Sequence, residues 1–143
     1  MSCACSITVE DIEEAVRRQD FVDIEEQLKR KSDSQRAAVL RLFVKNGDPS
    51  VYDLILDWIP NLTVPSQAAI VLAAAESENI DLLELFFKAD NIFDEDVFIT
   101  AFYKYIEGNP RRHIIKLMWR NFHDYEQASI DIAIKMKYQL NLP

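Results

Sequence analysis

The sequence predicts an all-α chain: an α-solenoid of about four helix–turn–helix repeats of roughly 30 residues, closed by a C-terminal capping helix. Three observations carry this. Helix-capping residues recur in two interleaved series with a shared period, apolar residues recur at helical spacing, and glycine is nearly absent. Only 2 Gly occur in 143 residues, too few to supply the positive-φ turns of a hairpin-rich sheet protein. With 49% hydrophobic and 10% aromatic residues, the chain has enough apolar surface to bury a core as one domain.

The elements follow from the caps in chain order. Residues 1–7 form a flexible N-terminus. Thr8, with Asp11 in the third helical position, has the spacing of a capping box, and Asp20 opens the next helix, so 8–33 is an acidic N-terminal capping pair. Ser34 and Asp48 delimit a repeat over 34–62, Thr63 and Asn79 one over 63–93, and Asp94 and Asn109 one over 94–123. Thr63 is the weakest cap of these, since Val64 and Ser66 compete for its role. Asp48-Pro49 and Asn109-Pro110 place proline at the first helical position, where its missing N–H is not needed. Asp124, with Gln127, opens a capping helix over 124–143 whose Lys135, Lys137 and Asn141 face water. The steps are 28, 31 and 30 residues in one series (20, 48, 79, 109) and 26, 29, 31 and 30 in the other (8, 34, 63, 94, 124).

Apolar stripes sharpen the pattern. Val51, Leu54, Ile55 and Trp58 stand at i, i+3, i+4, i+7. Leu82, Leu83, Leu85 and Phe86 make a comparable stripe, as do Ile114, Ile115, Leu117 and Met118. The first helix of each pair is richer in small residues (Ala37-Ala38, Ala68-Ala69, Ala73-Ala74-Ala75), which lets neighbours approach closely and makes it the inner one. Phe98, Ala101, Phe102 and Tyr105 form a buried face, and Tyr103 points away from it.

The stretch Ala74-Ala75-Glu76-Ser77-Glu78-Asn79-Ile80-Asp81-Leu82-Leu83-Glu84-Leu85-Phe86-Phe87 resembles an ankyrin repeat: an Ala-Ala pair, a short polar turn and a Leu-rich second helix. Phe43 to Leu56 and Tyr105 to Trp119 match less closely. The family's Thr-Pro-Leu-His opening is replaced by Ala69-Ile70-Val71-Leu72, and Glu78 occupies the place of its turn glycine. Its long hairpins are replaced by Asn61-Leu62-Thr63-Val64-Pro65 and Ala89-Asp90-Asn91-Ile92-Phe93. The resemblance implies a concave binding surface built from inner helices and inter-repeat loops. Tyr103, Lys104, Asp94 and Glu95 then become contact candidates.

Catalytic patterns are sparse. His113 and His123 lack a zinc-binding spacing, and Cys3 and Cys5, one residue apart in the N-terminal tail, form neither a strain-free disulfide nor a zinc site. No Gly-rich phosphate loop and no nucleophile elbow occurs. The expectation is therefore no enzyme, no cofactor and no metal. A net charge of −8 argues against nucleic acid and anionic membranes as partners. One local exception stands out. Arg112, Lys116 and Arg120, at i, i+4, i+8, form a basic ridge with Arg111 at its start. The sequence thus predicts a cytoplasmic monomer that binds another protein bearing an acidic patch, as an adaptor or inhibitor, and is compatible with a bacterial or viral protein delivered into a host cell. The alternatives are a small helical enzyme or ligand-binding domain using groove carboxylates, and a homo-oligomeric structural module.

Overall fold

The computed structural model describes residues 6–89, 93, 95–122 and 134, which form eight helices and no strand. These are α1 (Val9–Arg18), α2 (Val22–Lys29), α3 (Asp33–Asn46), α4 (Tyr52–Trp58), α5 (Val64–Glu76), α6 (Ile80–Lys88), α7 (Glu95–Glu107) and α8 (Arg112–Phe122). Short 3-10 turns at Pro49–Val51 and Ile59–Asn61 flank α4. Among the described residues no helix is long and apolar enough to cross a membrane. The predicted 124–143 capping helix, its caps and lysines, and Cys3, Cys5 and His123 lie outside the described residues.

Three of the expected caps hold in side-chain chemistry: Thr8, Asp48 and Asn79. Thr8 caps α1 in a reciprocal box: Asp11 donates its N–H to Thr8 Oγ1, and Thr8 N–H donates to Asp11 Oδ2 at 2.9 Å. Asp48 accepts from Ser50 N at 2.9 Å with Pro49 behind it, and Asn79 accepts from Leu82 N at 3.1 Å. Four expectations shift. The cap of α3 is Ser32, not Ser34, because Ser32 has Gln35 three residues on to close the box. Asp20 binds Val22 N at 3.2 Å, yet the residue that borders α2 is Phe21, which makes no side-chain cap bond. Thr63 borders α5 without capping it, its hydroxyl being drawn to Asp33 instead. Because α5 begins at Val64, Leu62 and Thr63 alone bridge from the preceding 3-10 turn. Finally, α8 starts at Arg112, so Asn109-Pro110 stays outside the helix, and Arg111 O accepts its first backbone bonds.

Packing runs through the first helices: α1 contacts α3, α3 contacts α5, and α5 contacts α7. Of these α5 is the most enclosed. Ala68, Ile70, Val71, Ala73, Ala74 and Ala75 are buried, so this helix meets α3, α6 and α7 with small side chains at close range. Its Gln67 is buried but satisfied, with Nε2 donating to Ile59 O at 2.7 Å and to Leu62 O at 3.1 Å. Ile59 O also accepts from Leu62 N at 3.0 Å, so Gln67 ties itself to the carbonyls of the turn that precedes α5. The second-helix stripes pack as expected, with Val51, Leu54 and Ile55, then Leu82, Leu83 and Phe86, then Ile114, Ile115, Leu117 and Met118 buried. Trp58 and Leu85 are half-buried, and Trp58 carries the Arg36 guanidinium 5.2 Å above its ring. Phe98, Ala101, Phe102 and Tyr105 are buried as read. Tyr103, expected to point away from that face, is half-buried and packs against the core.

The turns after α1, α3 and α5 share a conformation. Gln19 (φ 54°), Gly47 (φ 77°) and Glu78 (φ 54°) are left-handed, 28 and 31 residues apart, and each directly precedes an Asp or Asn. Polar side chains link these turns in succession. Gln19 Nε2 donates to Ser50 Oγ at 3.2 Å, and the Tyr52 hydroxyl lies 3.2 Å from Asn79 Oδ1. Glu78 reaches Arg111 and His113. At the other end of the helices the Asp33 carboxylate accepts from Thr63 N and Thr63 Oγ1, both at 2.8 Å, and from Ser66 Oγ.

Candidate interaction surface

Two chemistries divide α8. Ile114, Ile115, Leu117 and Met118 are buried, and between them Arg112, Lys116 and Arg120 are exposed. The burial of one side fixes the rotation of the helix, and residues four apart then stack along the other side at about 6 Å per step. Among the described residues no carboxylate lies within ion-pair reach of Arg112, Lys116 or Arg120. The structure thus brings these three together as the sequence indicates.

Arg111 does not belong with them. Its backbone N–H donates to the Tyr105 hydroxyl at 2.8 Å, and its Nε lies 3.8 Å from Glu78 Oε2. His113 turns the same way, its Nε2 standing 3.1 Å from Glu78 Oε1. Glu78, Glu76, Tyr105, Asn109 and Arg111 line a cavity of about 230 Å³. Burial pushes the Tyr105 hydroxyl above its ordinary value, and the nearby Glu78 and Glu76 carboxylates add to that, while the Arg111 N–H pulls the other way. The phenol therefore stays neutral and holds the connection into α8. Sequence reading missed Glu78 as the residue that takes Arg111 out of the ridge. Its signal was an acidic side chain standing where a turn glycine would serve.

The remaining candidates scatter. Lys104 is exposed on α7, and Tyr103 beside it leans on the core. Asp94 and the side chain of Glu95 lie outside the described residues. A second polar surface, unassigned from sequence beyond its acidity, lies on the first pair. Asp11, Glu14, Asp20 and Asp23 line a groove of about 390 Å³ along α1 and α2, with Arg18 ion-paired to Glu14 inside it. Among the described residues no three His, Cys, Asp or Glu side chains converge as metal ligands.

No family model matches the chain, and neither a curated protein nor a solved structure matches it.

Proposed function

We propose that this chain is a protein-binding module, an adaptor or inhibitor whose helix pairs stack as a short solenoid similar to ankyrin repeats. In this reading its basic ridge receives an acidic surface of another protein. The observation that carries the proposal is the exposed row of Arg112, Lys116 and Arg120, unpaired among the described residues, on a chain of net charge −8. Several other cations are engaged: Arg17 and Arg18 by Glu14, Lys29 by Glu26, and Arg36 by the Leu28 and Lys29 carbonyls. The run of contacts α1–α3–α5–α7 supports the stacked arrangement. A rigid stack lowers the ordering cost of association, and a row of like charges steers an oppositely charged partner into place.

The test is affinity capture with the wild type beside the triple variant Arg112→Glu, Lys116→Glu, Arg120→Glu. The expected outcome is loss of partners captured by the wild type, with helicity by circular dichroism unchanged, since exposed substitutions typically shift stability by less than about 0.5 kcal/mol each. An identical set of captured proteins from both would overturn the reading.

A further inference from the structure

We propose that a second copy of this chain is one partner of the ridge: the α8 cations of one molecule seat in the α1–α2 groove of another, head to tail. This rests on the reading of the ridge as a protein-binding surface and names what fills it. The two surfaces are complementary in sign. Between residues 8 and 29 the sequence holds eight carboxylates against three cations. The three cations are engaged with Glu14 and Glu26, the ion pairs described above. Among the residues of α8 the sequence holds three cations, one histidine and no carboxylate.

They are also complementary in form. The ridge is a convex row along one helix, and the groove is a concavity of about 390 Å³ with Asp20 and Asp23 on its rim. Asp23 is exposed and has no ion-pair partner among the described residues, so it is open to an incoming cation. Position favours pairing between molecules. The groove lies on the first helix pair and the ridge on α8, at opposite ends of the contact series α1–α3–α5–α7–α8. Such a contact joins two different patches, so it builds a closed ring or an open chain according to whether the rotation between copies closes.

The experiment is sedimentation of the purified chain across concentration and salt, with two charge-reversed variants. One carries Arg112→Glu, Lys116→Glu and Arg120→Glu; the other carries Asp20→Lys and Asp23→Lys. At about 0.02 M salt, where screening is weak, the wild-type mass is expected to rise above 16.6 kDa with concentration. At about 0.5 M salt the association should weaken roughly tenfold or more. Each variant alone is expected to stay monomeric, because its ridge and groove then carry the same sign. An equimolar mixture of the two should associate, because each ridge meets an opposite groove on the other variant. Circular dichroism checks both folds, and Asp23→Lys alone replaces the double variant if that loses helicity.

A wild type that stays at 16.6 kDa up to about 1 mM at low salt overturns self-pairing. So does an association that ridge reversal leaves intact. If self-pairing fails while capture from lysate still depends on the ridge, the broader function stands and only this occupant is excluded.

Discussion

Asp33 shows how much one carboxylate can organise. It stands in the first turn of α3 and accepts two bonds from Thr63 and one from Ser66, thereby joining the start of one helix pair to the start of the next. Its carboxyl is held below the ordinary range first by the Ser66 hydroxyl and then by the Thr63 N–H. A depressed folded value means stability that is fully present above the ordinary carboxylate pKa near 4 and lost as pH falls through the lower folded value. Urea unfolding as a function of pH should show this loss in the wild type and a weaker one in Asp33→Ala. At neutral pH Asp33→Ala is expected to cost about 1–3 kcal/mol, because the buried Ser66 hydroxyl loses its acceptor. Gly47 makes a different point. A Cβ there would meet nothing within 4 Å, yet φ is 77°. Gly47→Ala should therefore destabilise by about 1–2 kcal/mol through backbone strain alone, measurable by thermal unfolding.

Among the elements, α5 is the one whose sequence and environment agree most closely. Its alanines sit where α3 and α7 both press on it, so added volume has no free side to occupy. Ala74→Leu, at a fully buried position, should cost about 1–3 kcal/mol by overpacking, read from the denaturant midpoint at constant slope. Helix existence and order were legible because caps and apolar stripes are local properties of the chain. Several starts were not, since neighbours compete for the same role: Ser32 against Ser34 for one box, and Asp33 against Thr63's own helix for one hydroxyl. In the candidate surface, the period of α8 made Arg112, Lys116 and Arg120 visible as a row. The diversion of Arg111 and His113 to Glu78 was not visible, because it depends on a side chain 33 and 35 residues upstream (111 − 78 and 113 − 78).

At the scale of the molecule, buried apolar residues form one cluster from Ile7 to Met118. Unfolding is accordingly expected to be a single transition. Trp58 on α4 and Trp119 on α8, both half-buried against that cluster, give local probes of it. Single-tryptophan variants, Trp58→Phe and Trp119→Phe, should report coincident fluorescence midpoints; separate midpoints would show that the α4 and α8 regions melt independently. Charge is distributed unevenly, with eight carboxylates against three cations between residues 8 and 29 and three cations with no carboxylate on α8, so ionic strength should affect association far more than folding.

The left-handed turns and their polar ties also bear on how the chain reaches this state. The Gln19–Ser50 bond closes 31 residues, Tyr52–Asn79 27, and Asp33–Thr63 and Asp33–Ser66 30 and 33. Loop-closure entropy depends only on the logarithm of length, so these closures differ from one another by about 0.2 kcal/mol. The four ties thus carry nearly equal closure costs, and each joins positions about 30 residues apart, so none requires a search across the whole chain, which favours rapid folding.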